Sequence, residues 1–125
     1  MILVDTAVWI DHLREDDRDL ARLLESAAVL AHPWVTGELA LGSIRNRVEI
    51  LRLLDDLPQA TVATADEIRE LVEQHELFSL GIGYVDAQLL AATMLTPDAA
   101  LWTRDRRLQA PAQRLGVAYA PDTHR

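Results

Sequence analysis

Asp5, Glu38, Asp86 and Asp105 each lie within or at the edge of an apolar run, and together they could line a site for a hard metal ion. Asp5 closes the run Met1-Ile2-Leu3-Val4, and Asp105 follows Ala100-Leu101-Trp102-Thr103, so both fall where buried strands would end. In open α/β sheets, ligands bind outside the carboxyl ends of the strands. Asp86 sits in the almost wholly apolar stretch Tyr84 to Leu95, where a carboxylate needs an arginine, a cation or a helix N-terminus to offset its burial. Glu38 lies among Val35, Leu39, Ala40 and Leu41. Each acid also has an ordinary structural explanation. Asp5 and Asp105 suit helix caps, Asp86 suits the first turn after Gly83, and Glu38 suits a helix surface.

Convergence of the four would change their energetics. At about 5 Å and an effective dielectric near 20, each like-charged pair costs roughly 3 kcal/mol. Such a cluster must bind a cation, pair with arginine or keep some carboxyls protonated. Oxygen donors with neither cysteine nor an HExxH pattern favour Mg²⁺ or Mn²⁺ over structural zinc. An ion of that kind keeps waters, and one of them can attack a phosphodiester while the metal stabilises charge on the phosphate oxygens. Thr6 and Thr103, each close to a key acid, are candidates to orient a carboxylate or a water.

The elements that must position these groups follow from the apolar pattern. Ile2 to Asp5 and Ala27 to Ala31 read as strands, with helices over Thr6 to Arg14 and after Asp16-Asp17 between them. Pro33 suits the first turn of a helix through Glu38, interrupted at Gly42. Further helices are expected over Ile44 to Leu57, Ala65 to Phe78, Tyr84 to Leu95 and Arg106 to Leu115, the last irregular at Pro111. Short strands are expected at Ala60 to Ala63, Ala100 to Thr103 and Val117 to Ala120. Strands alternating with helices predict an α/β fold with a mostly parallel sheet covered on both faces. Residues 1–120 read as a single domain and 121–125 as a loose tail.

Composition narrows the chemistry. The chain has 125 residues, half of them apolar, and no cysteine, which excludes thiol catalysis, thiolate metal sites and a disulfide scaffold. No signal segment or membrane-length run is visible, so a cytoplasmic protein without membrane contact is expected. All 12 basic residues are arginine, and the absence of lysine removes Schiff-base chemistry and the GxxxxGK[ST] phosphate loop. A net charge of −8 argues against indiscriminate nucleic-acid binding. Local basic rims remain open to RNA, at Arg45 and Arg47 and at Arg104, Arg106 and Arg107. Trp9, Trp34 and Trp102 lie in apolar runs and are expected in the core rather than as base-stacking platforms. His12, His32, His75 and His124 lack paired metal spacing and read as surface or cap residues. Asp11, Asp98 and Asp122 fit helix-surface, turn and tail positions.

Four blocks in order carry a family resemblance: Val4-Asp5-Thr6-Ala7-Val8-Trp9-Ile10, the Glu38 segment, Asp86-Ala87-Gln88-Leu89-Leu90-Ala91-Ala92-Thr93, and Leu101-Trp102-Thr103-Arg104-Asp105-Arg106-Arg107-Leu108. From Ile2 to about Val117 the chain resembles the PIN-domain ribonucleases, in particular the VapC-type toxins of bacterial toxin-antitoxin pairs. The resemblance implies a three-layer α/β/α fold with a central parallel sheet. It implies that Asp5, Glu38, Asp86 and Asp105 bind Mg²⁺ or Mn²⁺ and carry catalysis, with Thr103 as a supporting hydroxyl. It also implies an endoribonuclease that cleaves selected cellular RNA, such as transfer or ribosomal RNA. A homodimer is implied, held in check by a VapB-type antitoxin in a heterotetramer or larger assembly, the antitoxin inserting an arginine among the acids.

Two other readings use the same residues. An acidic groove could bind an arginine-bearing peptide without catalysis, since a cluster of like charges is a receptor for a guanidinium. A phosphoacyl-aspartate site of similar α/β design is disfavoured by the missing lysine.

Overall fold

The computed structural model describes residues 1–121. Three strands, β1 (Ile2–Val4), β2 (Val29–Leu30) and β3 (Ala100–Trp102), form a parallel sheet in the order β2-β1-β3. Ile2 pairs with Val29 on one side and Ala100 on the other, and Val4 pairs with Trp102. Isolated parallel bridges extend the order outwards, Gln59 beside Ala31 and Ala118 beside Leu101. The strands are short and apolar because both faces are covered, and Leu3, Val4, Val29, Leu30, Leu101 and Trp102 are all buried.

Seven helices cover the sheet: α1 (Thr6–Arg14), α2 (Arg18–Glu25), α3 (Pro33–Leu41), α4 (Arg47–Asp56), α5 (Ala65–Gln74), α6 (Tyr84–Leu95) and α7 (Arg106–Arg114). The chain steps from β1 through β2 to Gln59 in one direction, then returns across β1 to β3 and on to Ala118. Right-handed crossovers in opposite directions place their helices on opposite faces. Accordingly α1 packs on α3 and α3 on α4, whereas α5 packs on α6 and α6 on β3. The layers meet at the carboxyl edge of the sheet, where α1, α3 and α7 begin.

Local chemistry sets the boundaries. Asp5, Asp17, His32, Thr64 and Asp105 each accept a backbone N–H at the start of a helix, and Thr64 with Glu67 completes a reciprocal capping box. The run Ala87 to Thr93 is wholly buried, so α6 is the central helix its composition predicts.

Four expectations need correction. The helix expected from Ile44 begins at Arg47, because Asn46 takes a left-handed conformation (φ 53°); the Arg47 guanidinium donates back to the Ala40 carbonyl at 2.8 Å. The helix expected to reach Phe78 ends at Gln74: Glu76 has φ 52°, and the Leu77 N–H turns back to the Val72 carbonyl at 2.9 Å. The strand expected at Ala60 to Ala63 reduces to the bridge at Gln59, since the Thr61 N–H leaves the ladder for the Thr96 hydroxyl. The strand at Val117 to Ala120 reduces to the bridge at Ala118, held by Leu101 N–H to Val117 and Tyr119 N–H to Leu101. The expected tail lies, from residue 122 on, outside the described residues. No helix among the described residues is long and apolar enough to cross a membrane.

Candidate active site

Strand pairing creates the centre of the site. Because Val4 pairs with Trp102, the residues that leave the two strands are neighbours, and the Asp5 N–H reaches the Trp102 carbonyl at 2.9 Å. The Thr103 hydroxyl donates to Asp5 Oδ2 at 2.7 Å, and the Thr6 N–H donates to Asp5 Oδ1 at 2.7 Å as α1 starts. Both carboxylate oxygens are therefore held in place. Burial pushes the Asp5 carboxyl above its ordinary value, the Thr103 hydroxyl and the Thr6 N–H oppose that, and the charges of Asp86 and Glu38 raise it further. Asp5 thus lies within reach of the charges of Glu38 on α3 and Asp86 on α6.

Glu38 stands on the exposed side of α3 and accepts the Thr6 hydroxyl at 2.5 Å. Asp86 is the third residue of α6, and its Oδ2 accepts the Gly83 N–H at 3.0 Å. Asp105 caps α7 through the Arg107 N–H at 2.9 Å, and its own N–H donates to the Thr103 hydroxyl at 3.1 Å. Thr6 thus bridges Asp5 to Glu38, and Thr103 bridges Asp5 to Asp105.

Among the described residues, no three acidic or histidine side chains close into a compact cage around a point. The donor set nevertheless suits a hard divalent ion. It consists of oxygens alone, and Asp5, Glu38 and Asp86 have no arginine or histidine ion-pair partner among the described residues. Mg²⁺ retains several waters and needs only one or two direct carboxylates, so an open arrangement is compatible with it.

The arginines divide by what they already hold. Arg104 is committed: its guanidinium bonds Asp11 and, at 2.7 Å, Asp17, and lies 5.6 Å from the centre of the Trp102 ring. Arg47 is bound to the Ala40 carbonyl. Arg107 is largely exposed, 3.9 Å from Asp105, and runs along Gly81. Arg45 lies in the loop between α3 and α4, and Arg106 opens α7; both are exposed.

Sequence reasoning passed over Asp11 and Asp17 as partners of Arg104, because no local spacing joins residues 87 and 93 positions apart. It also assigned Trp34 to the core, yet Trp34 is 40% exposed and its ring meets that of Tyr84 at 5.9 Å. The available signal was the four-residue step from Trp34 to Glu38, which places both on one helix face. Trp9 and Trp102 are buried as expected. His32 is a cap, as expected, but a fully buried one.

A family model for the PIN domain matches residues 2–113. The chain belongs to the PIN-domain family. It is also 49% identical over 122 residues to Ribonuclease VapC32 of Mycobacterium tuberculosis, in both strain CDC 1551 / Oshkosh and strain H37Rv, covering 98% of this chain and 98% of each relative. The chain is therefore a VapC-type PIN-domain protein, with the open, parallel α/β sheet that its sequence predicts.

Proposed function

We propose that this chain is a metal-dependent endoribonuclease toxin that cleaves selected cellular RNA at Asp5, Glu38, Asp86 and Asp105. The observation that carries this reading is the set Asp5, Glu38 and Asp86 at the carboxyl edge of the sheet, with no arginine or histidine ion-pair partner among the described residues. Asp5 is joined to Glu38 through Thr6, and its pKa is raised by burial and further by the charges of Asp86 and Glu38. Whole-length identity to a protein named as a ribonuclease supports it. Mg²⁺ or Mn²⁺, held by these acids, would supply charge stabilisation at a phosphate oxygen and a more acidic water.

The chain's own groups have separable tasks. Thr103 and the Thr6 N–H favour the ionised, ligating form of Asp5 and oppose in part the burial that raises its pKa. The Thr6 hydroxyl fixes the Glu38 carboxylate beside it. Asp86 is anchored by the Gly83 N–H through one oxygen, which leaves the other for ion or water. Asp105, tied to Thr103, completes the rim, with Arg106 and Arg107 next to it to meet phosphates. Arg45 has an analogous role at the α3–α4 loop. An uncompensated acidic centre is also a receptor for a guanidinium, which fits neutralisation by a VapB-type antitoxin bearing an arginine. Assembly as a homodimer, and as a larger complex with the antitoxin, belongs to the same reading.

The test is 5′-end mapping of total RNA after brief expression in bacteria, comparing wild type with Asp86→Asn. New ends that appear only with the wild type support the reading and identify the target. Identical end profiles from two folded proteins, free of antitoxin, would turn the assignment towards a non-catalytic acidic groove.

A further inference from the structure

Trp34 is the second residue of α3 and Glu38 the sixth; both are exposed, whereas Val35 and Leu39 are buried. The tryptophan and the acid therefore lie one turn apart on the same outward face. Tyr84 opens α6 two residues before Asp86 and is 51% exposed. The two rings touch across the seam between the helix layers, with centroids 5.9 Å apart and planes tilted by 59°. At that tilt neither ring lies flat on the other, and both residues stay partly exposed, Trp34 at 40% and Tyr84 at 51%, on the helices that carry two of the four acids. Trp9 and Trp102 are 1% and 2% exposed, which makes Trp34 the exception among the tryptophans.

We propose that Trp34 and Tyr84 form a platform on which a base of the RNA substrate stacks next to the phosphate being cut. The inference rests on the ribonuclease reading above and names how that site takes hold of its substrate. Charge gives the reason for choosing RNA as the occupant. A protein of net charge −8 gains little from summed phosphate contacts, and Arg104 and Arg47 are already bound within the chain. Stacking needs no positive charge, tolerates any base and suits the unstacked loops in which RNA is read. The pair is also continuous with the acidic centre through α3 and α6, so a nucleotide resting on it would keep its phosphate near Glu38 and Asp86. A second copy of the chain would cover the same rings, and the experiment separates the two cases.

Wild type, Trp34→Ala, Trp34→Phe and Tyr84→Ala would be compared for Mg²⁺-supported cleavage of total bacterial RNA, for KM and kcat on the fragment so identified, and for mass in solution. In parallel, Asp86→Asn would be titrated with a short mixed-sequence single-stranded oligoribonucleotide while tryptophan emission is followed. The platform predicts that Trp34→Ala and Tyr84→Ala raise KM about tenfold with kcat nearly unchanged, that Trp34→Phe restores most of the loss, and that the oligoribonucleotide quenches emission from Trp34. Unchanged KM in both alanine variants of an active enzyme overturns the platform and leaves the ribonuclease reading standing. A fall in solution mass in the alanine variants, with emission unmoved by RNA, overturns it in favour of a subunit contact. Absence of cleavage by the wild type removes the ribonuclease reading and the platform with it.

Discussion

The Thr103 hydroxyl donates to Asp5 Oδ2 at 2.7 Å across 98 positions of sequence, and its own Oγ1 accepts the Asp105 N–H at 3.1 Å. One small, buried side chain thus ties the first of the four candidate acids to the last. The link is a product of topology. Parallel pairing of Val4 with Trp102 makes Asp5 and Thr103 neighbours as their strands end, and each strand then runs straight into a helix capped by an acid.

Thr103→Val keeps the shape of the side chain and removes the hydroxyl. The Asp105 N–H then lacks its acceptor, at a cost of about 1–3 kcal/mol where water cannot reach it. The Asp5 carboxyl loses a bond that favours its charged form, so its pKa moves further up. Activity should fall most at the acidic end of the pH range and recover in part as pH rises. A pH–rate profile that drops by the same factor at every pH would show that Thr103 acts on the fold alone.

Asp5→Asn tests the electrostatics of the acidic site. Because the folded-state pKa of Asp5 is raised, the native protein holds a proton that the unfolded chain has already released. Its contribution to stability is full below the unfolded value of about 4 and is lost as pH rises through the folded value. At pH 7, in chelator, wild type therefore carries the cost of an ionised, crowded carboxylate. Asparagine still accepts the Thr6 N–H and carries no charge. Urea unfolding should find Asp5→Asn inactive but more stable than wild type at pH 7, with the difference shrinking towards pH 4. A less stable variant at pH 7 would show that the cap geometry outweighs the repulsion.

Why some of the site was legible in the sequence follows from the range of the interactions involved. Asp5, Asp86 and Asp105 sit at element boundaries, and a boundary is a local matter of caps and apolar runs. The start of α3 at Pro33 and the whole of α6 were readable for the same reason. The two outer strands were over-read because edge pairing depends on partners elsewhere: Thr61 finds the Thr96 hydroxyl instead of a strand. Trp34 was misplaced because its apolar neighbours Val35 and Leu39 do go inside, while the four-residue step carries Trp34 outwards with Glu38. Asp11, Asp17 and Arg104 meet only after two helices and a strand have been placed, so nothing local announces them.

Arg104 sits between Thr103 and Asp105, and it pins that loop to α1 and to the start of α2 through Asp11 and Asp17. Although burial pushes the Asp17 carboxyl up, the Leu20 N–H and the Arg104 guanidinium outweigh it and hold the group below its ordinary value. That part of the stability is present above about pH 4 and is lost as pH falls through the folded pKa. These pairs are partly open to water, so Arg104→Gln should cost only about 1 kcal/mol or less. Cleavage should fall by roughly tenfold, because the loop bearing Asp105 loses its anchor. The Asp11→Asn, Asp17→Asn double variant should reproduce that loss although it retains the arginine. If the double variant cuts at the wild-type rate, Arg104 acts on RNA directly and not through the loop.

His32 offers a stability test on a group that is not one of the four acids. Its ring is fully buried at the start of α3, where Nδ1 accepts the Trp34 N–H at 3.0 Å and Nε2 has no hydrogen-bond partner among the described residues. Burial lowers its pKa, and protonation of Nδ1 would also destroy the cap. The unfolded chain takes up a proton below about pH 6.5 that the folded one refuses, so this contribution to stability is present above that value and is lost as pH falls towards the folded pKa. The slope for one such group is at most about 1.4 kcal/mol per pH unit. His32→Asn keeps an acceptor for the Trp34 N–H but cannot titrate, at the cost of a cavity. Urea midpoints at pH 7.5 and pH 5.5 should therefore fall for wild type and change less for His32→Asn, even though the variant is less stable at the higher pH. Parallel pH dependence in the two proteins would mean that His32 takes up its proton in the fold as readily as in the unfolded chain, so that burial does not lower its pKa.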